Sequence, residues 1–295
     1  MTKRLMLLVN PTAGRSGYRN CLSDVLEAFY SSGHLPTVFF TTAPGDATRL
    51  VLEHSKGFDI VVCMGGDGTL SEVISGIIQT PEPPDLGYIP LGTANDVASS
   101  LNLPRRPQKA AQRIIEGSPF AFDVGRYGDD QYFAYIAAFG AFTEVSYQTP
   151  ASIKHNIGYL AYLLEGMRHI SRINYRKATI EYDDGVIIDD FIFGAVSNST
   201  SIAGLVKLND TTVELGDGLF EVILIKNPRR LSDMNGIISD ITSRKYTSNN
   251  VIVLHSKYVR FTFDQPVALT RDGENGGIHR DLTLRNLHAA IRLIV

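Results

Sequence analysis

The chain has 295 residues, of which 44% are hydrophobic and 20% are charged, a composition typical of a folded globular protein and not of a disordered or fibrous one. The formal net charge of −3 provides no general attraction to nucleic acid, so no nucleic-acid partner is expected. Two cysteines, Cys21 and Cys63, are too few for a zinc site or a disulfide framework, which fits a reducing cytoplasm.

The apolar segments predict neither a secretion signal nor a membrane-spanning helix. The first one, residues 5–9, is short and ends at Asn10 and Pro11, so we interpret it as a strand. The longest nearly uncharged stretch, residues 132–143, is well short of the roughly 20 apolar residues that a spanning helix needs. We therefore expect a cytoplasmic protein that contacts, at most, the inner surface of the membrane.

Strand and helix patterns alternate along the first ~120 residues, which predicts parallel strands in a doubly wound α/β domain. The predicted strands are residues 5–9, 37–41, 58–64 and 86–90. The predicted helices are residues 18–31, 47–54 with Asp46 as N-cap, and 108–115 between Pro107 and Gly117.

Strand-like runs dominate after residue 124, which favours an antiparallel sandwich or barrel. They cover residues 131–138, 176–182, 186–196, 219–226, 251–255, 258–263 and 267–270. A turn at Asp183–Asp184–Gly185 predicts a hairpin, and helical patterns occupy residues 157–170 and 231–241. The last run, residues 289–295, is apolar.

The candidate site begins where the strand of residues 58–64 stops at Gly65–Gly66–Asp67–Gly68–Thr69. A helical pattern starts directly after this loop, at Leu70. Glycines let backbone N–H groups approach a phosphate, and a helix N-terminus carries about half a positive charge. Asp67 would repel phosphate unless a cation lies between them, and Mg²⁺ is commonly held by one or two carboxylates together with substrate phosphates.

A second loop of this kind, Gly92–Thr93–Ala94–Asn95–Asp96, follows the strand of residues 86–90. Ligands of open α/β sheets bind outside the carboxyl ends of the strands, so both loops are expected at one crevice. Taken alone, Asp96 reads as a helix cap and Asp123 as a turn residue. In the same crevice as Asp67, both could hold magnesium-bound waters.

Together with Asn10–Pro11–Thr12–Ala13–Gly14 upstream and Asp272–Gly273–Glu274 downstream, the two loops resemble the signature of the diacylglycerol kinase catalytic-domain family. This family includes bacterial soluble lipid kinases, sphingosine kinases and ceramide kinases. The resemblance implies a Rossmann-like domain of the NAD kinase/diacylglycerol kinase type in residues 1–123, with a C-terminal return at about 285–295. It also implies a β-sandwich lipid-substrate domain in residues 124–284.

The resemblance further implies ATP as co-substrate, Mg²⁺, and a set of site residues. The implied ATP contacts are Asn10, Pro11, Thr12, Ala13, Gly14, Thr41, Gly65, Gly66, Asp67, Gly68, Thr69, Leu70, Glu72, Thr93, Asn95 and Asp96. The candidate metal ligands are Asp67, Asp96 and Asp123, with a structural magnesium held by the carbonyls of Glu214 and Leu219 and the Asp217 side chain. The catalytic candidates are Asp67, Asp272 and Glu274, with Glu274 as the base that takes a hydroxyl proton.

The expected acceptor is a membrane lipid, so the protein is expected to meet a membrane surface. Local basic clusters at Arg105, Arg106 and Lys109, and around residues 154–177, are candidates for that contact. Exposed strand edges often pair, so a homodimer is also among the expected partners. A sphingoid base, phosphatidylglycerol or NAD as acceptor, and a catalytically silent nucleotide sensor, remain as alternatives.

Overall fold

The computed structural model describes residues 2–93, 95–140, 174–198, 201–202, 206–207, 215–243 and 245–295. The chain forms two compact units, Met1–Val124 with Ala289–Val295, and Gly125–His288. Glu214, the predicted helix of residues 157–170 and most of the basic cluster around it lie outside the described residues. Within the part that is described, no helix is both long and apolar enough to span a membrane.

The first unit contains a parallel sheet with helices between its strands. The strands are β1 (Lys3–Val9), β2 (His34–Phe40), β3 (Ile60–Gly65) and β4 (Asp85–Pro90). A 3₁₀ helix covers Ala13–Asn20, and the α-helices are α1 (Leu22–Ser31), α2 (Asp46–His54), α3 (Asp67–Ile78), α4 (Asp96–Ser100) and α5 (Pro107–Glu116). The sheet order is β2-β1-β3-β4, with each neighbouring pair parallel.

The central strands of this sheet, β1 and β3, are apolar over most of their length because helices cover both faces. Every residue of β3 is buried, and so are the last five residues of β1. Val25 and Phe29 of α1 and Ile114 of α5 pack into the same core. The continuous apolar runs therefore predict these two strands correctly.

Two local predictions at the helix starts are wrong. The helix expected over residues 18–31 is broken, because a 3₁₀ helix precedes α1. The N-cap of α2 is Gly45, in the left-handed region at φ 84°, and not Asp46. The Asp46 carboxylate instead accepts hydrogen bonds from the Thr42 hydroxyl and the N–H groups of Thr42 and Ala43, which hold its pKa well below its ordinary value.

The second unit consists mainly of antiparallel strands. They are β5 (Pro119–Tyr127), which enters from the first unit, β6 (Gln131–Phe133), β7 (Ile136–Gly140), β8 (Arg176–Tyr182), β9 (Gly185–Ser197), β10 (Ser201–Ile202), β11 (Val206–Lys207), β12 (Phe220–Lys226), β13 (Val251–Ser256), β14 (Tyr258–Arg271) and β15 (Glu274–Ile294). In the described part of this unit, one α-helix, α6 (Leu231–Ser243), follows β12. The predicted strand over residues 131–138 is two strands, because the chain bends at Ala134 and Tyr135.

The long strands β9 and β14 connect the antiparallel network. Each of them pairs with β8 along one part of its length and with β7 along another. Their inward side chains join an aromatic core in which the ring of Phe139 lies 5.3 Å from that of Phe261 and 4.9 Å from that of Phe263. Rings at these distances in edge-to-face geometry attract one another beyond their burial.

The last residues of β15 belong to the first unit, where Leu293 pairs in parallel with Leu86. The return begins at Ala289, whose N–H donates to Oδ1 of the fully buried Asp123 at 2.7 Å. Ala289 is itself left-handed, at φ 51°. The Asp123 carboxylate therefore fixes the point at which the chain re-enters the first unit.

Replacement of Phe139 by Ala tests the aromatic core. Phe139 is 2% exposed, so we expect its loss to cost about 3–5 kcal/mol of unfolding free energy. The matched control is Ile188→Ala in β9, a position that is 65% exposed, where we expect a change within about 0.5 kcal/mol. Urea unfolding of the full chain measures both, and equal shifts of the two midpoints would contradict this account of the core.

Candidate active site

Three loops at the carboxyl ends of β1, β3 and β4 are in direct backbone contact. A Cβ atom added to Gly92 would lie 2.7 Å from Cα of Gly66, and one added to Gly14 would lie 2.2 Å from the carbonyl oxygen of Leu91. The N–H of Leu91 donates to the carbonyl of Gly65 at 2.7 Å. The structure thus brings together the loops that the sequence places at three separate strand ends.

Helix α3 begins at this junction. Its N-cap, Gly66, is extended, and the first N–H bonded within the helix is that of Leu70, which donates to the Gly66 carbonyl at 3.0 Å. The N–H groups of Asp67, Gly68 and Thr69 therefore lie in the first turn, where N–H groups have no intrahelical acceptor. Together with the helix dipole, they form a site suited to an anion.

Asn10 and Thr69 lock the first loop onto α3. Nδ2 of Asn10 donates to Oγ1 of Thr69 at 2.8 Å. Oδ1 of Asn10 accepts hydrogen bonds from the N–H of Thr12 at 2.9 Å and from its hydroxyl at 2.8 Å. Both ends of the Asn10 amide are thus used within the protein, so its observed contacts shape the loop.

Asn95 has a comparable function in the second loop. It is left-handed at φ 52°, a conformation that asparagine tolerates better than most residues, and it is buried. Its Nδ2 donates to the Gly92 carbonyl at 2.7 Å, and its Oδ1 accepts from the hydroxyl of Tyr88 at 3.2 Å. Tyr88 is a partner that sequence reasoning missed, because a tyrosine within an apolar strand gives no signal beyond burial.

Asp67 and Asp96 are each the first residue of a helix, and the Gly66 and Gly92 turns that precede these helices are in contact. Burial raises the pKa of Tyr88 well above its ordinary value, and the Asp67 and Asp96 carboxylates act in the same direction. Because the Gly66 and Gly92 turns touch, Asp67 and Asp96 lie at the same edge of the sheet.

These two carboxylates fit Mg²⁺. Among the described residues, no three His, Cys, Asp or Glu side chains group to form a metal site by themselves. Mg²⁺ does not need such a group, because it keeps several waters and takes one or two carboxylates along with substrate phosphates. Asp123 differs from Asp67 and Asp96, since it is fully buried and its Oδ1 accepts the Ala289 N–H.

The remaining residues that were expected to contact ATP differ in how far solvent reaches them. Glu72 accepts hydrogen bonds from the N–H of Gly45 at 2.8 Å and of Ala47 at 3.2 Å, so its carboxylate connects α3 to the start of α2. Leu70, Gly65 and Thr41 are buried. Solvent reaches, at least in part, Pro11, Thr12, Ala13, Gly14, Gly66, Asp67, Gly68, Thr93 and Asp96.

The acidic segment near the C-terminus is the turn of a hairpin in the second unit. Asp272 and Gly273 connect β14 to β15 at φ 46° and 85°, and Arg271 pairs with Glu274 across the turn. Glu274 is exposed, whereas the Asp272 carboxylate accepts three backbone hydrogen bonds. Burial raises the pKa of Asp272, while these N–H groups and the Arg271 guanidinium act in the opposite direction.

The candidates for a structural magnesium form a turn. Oδ1 of Asp217 accepts the N–H of Leu219 at 2.8 Å, and Gly218 between them is left-handed at φ 82°. Such an Asx-type contact is common in turns before strands. Of the expected ligands, only Asp217 and Leu219 lie among the described residues, and their observed contact is with each other.

Residues 4–127 match the family model of the diacylglycerol kinase catalytic domain. The chain is 32% identical to a diacylglycerol kinase of Bacillus subtilis (strain 168), over 94% of this chain and 91% of that protein. It is 33% identical to a diacylglycerol kinase of Staphylococcus saprophyticus, over 94% of this chain and 90% of that protein.

The fold is also found in two crystal structures of diacylglycerol kinase-type proteins from Bacillus anthracis strain Sterne. Their TM-scores are 0.81 and 0.76, at 22% and 20% identity, over 99% of this chain and 96% of each of those chains. The similarity in sequence extends over almost the whole chain, and the similarity in structure does the same. By this evidence the chain belongs to the diacylglycerol kinase family and is a lipid kinase.

Proposed function

We propose that this protein transfers the γ-phosphoryl group of ATP to the free hydroxyl of diacylglycerol, or of a closely related lipid, and so produces phosphatidic acid or its analogue. The observation that supports it most is the contact of the Gly66 and Gly92 turns beside the N-terminus of α3. The name of the relatives supports the acceptor, and family membership supports ATP as donor.

In the proposed reaction, the hydroxyl oxygen of the lipid attacks the γ-phosphorus of ATP. The new P–O bond forms as the bond between the γ-phosphorus and the β,γ-bridging oxygen breaks, and ADP leaves with that electron pair. The hydroxyl proton passes to the carboxylate of Glu274 and from there to water. Reactions of this kind need positioning and charge stabilisation more than covalent help from the protein.

The first unit supplies the positioning of the triphosphate. The N–H groups at the start of α3 are proposed to donate to phosphate oxygens, while Thr12 and Thr93, both exposed, are proposed to contact the nucleotide. Asp67 and Asp96 would hold Mg²⁺, which would neutralise charge on the phosphates. Asn10, Asn95 and Glu72 would act indirectly, by fixing the loops that make these contacts.

The proposal includes a finer fold assignment and a location. We assign the first unit to the Rossmann-like type and the second to the β-sandwich type. A diacylglycerol acceptor resides in a bilayer, so the protein would bind a membrane surface peripherally. Arg105, Arg106 and Lys109 are exposed residues that could contribute roughly 1 kcal/mol each on an anionic surface.

Gly92→Ala tests the glycine contact. The added Cβ would lie 2.7 Å from Gly66 Cα and 2.8 Å from Asn95 Oδ1, so the two turns must separate. We expect Mg-ATP affinity to fall by about 10-fold or more, a loss of about 1.4 kcal/mol. Gly17→Ala is the matched control, because nothing lies within 4 Å of its added Cβ. Calorimetric titration with Mg-ATP measures the affinity of both variants. Equal affinities of Gly92→Ala and Gly17→Ala would contradict the proposed role of the two turns in binding ATP.

Glu274→Gln tests the base. The amide keeps the size of the side chain but cannot take a proton, so we expect turnover on diacylglycerol to fall by about 10²–10⁴-fold. Mg-ATP affinity should stay at the parental value, and Glu82→Gln, an exposed change in the first unit, should leave turnover unaltered. Parental turnover in Glu274→Gln would refute this assignment.

The identity of the acceptor is tested with labelled ATP on vesicles that contain diacylglycerol, a sphingoid base or phosphatidylglycerol, and on NAD in solution. We expect labelled phosphatidic acid as the main product. A faster reaction with another acceptor would replace the proposed substrate. Mg-dependent ATP binding without a product on any acceptor would favour a nucleotide sensor.

A further inference from the structure

The hairpin that carries Glu274 is attached to its surroundings through the residue before the turn glycine. Asp272 and Gly273 are the two central residues of the turn, and both have positive φ, as a type I′ turn requires. Aspartate is one of the few non-glycine residues that adopt this conformation readily. Its side chain folds away from the hairpin and onto the residues that open β7.

The two oxygens of Asp272 accept three hydrogen bonds from consecutive backbone N–H groups. Oδ2 accepts the N–H of Ala134 at 2.8 Å, and Oδ1 accepts those of Tyr135 at 3.0 Å and Ile136 at 2.9 Å. The N–H of Asp272 donates back to the Ile136 carbonyl at 2.9 Å. We refer to these four hydrogen bonds as the Asp272 clamp.

The residues that receive the clamp are themselves held firmly. Ala134, Tyr135 and Ile136 are all buried. The carbonyl of Tyr135 accepts hydrogen bonds from the hydroxyl of Ser197 and the N–H of Asn198, both at 3.0 Å. Without the Asp272 carboxylate, three buried N–H groups would lose their acceptor, which a folded protein avoids.

These contacts place the two acidic residues of the hairpin, Asp272 and Glu274, in different environments. Both oxygens of the Asp272 carboxylate accept backbone N–H groups, so taking a proton from an acceptor hydroxyl would require Asp272 to give up hydrogen bonds to buried donors. Glu274 is two residues farther, at the start of β15, and its side chain is exposed. The direction in which it leaves the hairpin depends on how the turn is anchored.

We propose that Asp272 is a positioning residue of the phosphoryl transfer, which fixes the hairpin against Ala134–Ile136 so that Glu274 meets the acceptor hydroxyl, and that it neither contacts the substrate nor accepts its proton. This inference rests on the proposed function of Glu274. It changes the assignment of Asp272 from a catalytic residue to one that acts through its neighbour.

Two substitutions weaken the Asp272 clamp to different extents without straining the turn. Asp272→Asn keeps the left-handed conformation, since Asn-Gly is a favoured type I′ pair, but its amide can accept at most two of the three hydrogen bonds. Asp272→Gly also allows positive φ and removes the side chain entirely. Asp184→Asn, an exposed residue in the two-residue turn between β8 and β9, is the matched control.

We expect kcat on diacylglycerol to fall by about 10-fold in Asp272→Asn and by about 10²-fold in Asp272→Gly, because misplacement by about 1 Å can cost that much. The decline of kcat at acidic pH, which reports protonation of the base, should persist at the parental pH in both variants and disappear in Glu274→Gln. Loss of that decline in Asp272→Asn would make Asp272 the base, and parental kcat in Asp272→Gly would make the clamp merely structural. Either result overturns the proposal.

Hydrogen exchange gives a readout without substrate. In Asp272→Gly, the amides of Ala134, Tyr135 and Ile136 should exchange faster than in the parental protein, while Glu274→Gln and Asp184→Asn should leave them unchanged. Unchanged exchange of these three amides in Asp272→Gly would show that the Asp272 clamp does not protect them and would contradict the proposal. If the parental protein phosphorylated no lipid, the proposed function would be wrong. That result can be told apart from failure of the Asp272 proposal, which hydrogen exchange tests without substrate.

Discussion

The edge of the parallel sheet where we propose that ATP binds depends on the close approach of two backbone turns. Gly66 and Gly92 lie so near each other that a methyl group on either would collide with the other or force it to move. Because the turns touch, the first residues of α3 and α4, Asp67 and Asp96, lie at the same edge of the sheet. Gly66 and Gly92 are thus needed because they have no Cβ atom, which lets the two backbones approach each other, as well as for their backbone freedom.

Several polar side chains of the sequence motifs form hydrogen bonds within the protein that fix the loops. Asn10 bridges Thr12 and Thr69, Asn95 bridges Gly92 and Tyr88, and Glu72 accepts two N–H groups at the start of α2. A buried polar group needs such partners, and the same groups fix the loops that face solvent. The residues left accessible at this edge are mainly glycines, small side chains and the two aspartates, which suits a site that binds phosphates through the backbone.

The C-terminal hairpin shows that a turn signal and a functional motif can be the same residues. Asp272–Gly273 reads as a turn in the sequence, and the structure has a two-residue turn there. The family resemblance adds a role for Glu274, which follows the turn directly. Asp272 serves the turn twice, through its backbone conformation and through a carboxylate that anchors the hairpin to the start of β7.

The sequence by itself determined the features that are encoded within about ten neighbouring residues. The buried runs of β1 and β3, the bounds of α5 between Pro107 and Gly117, and the hairpin of β8 and β9 follow from local periodicity and turn chemistry. Only the tertiary structure decided which group each polar side chain meets. The partners of Glu72, Asp272 and Asp123 lie up to 27, 138 and 166 residues away along the chain, and packing of the whole unit selects them. No local pattern records such a pairing, because an acid that anchors a loop and an acid that serves a ligand are the same residue type in the same kind of turn.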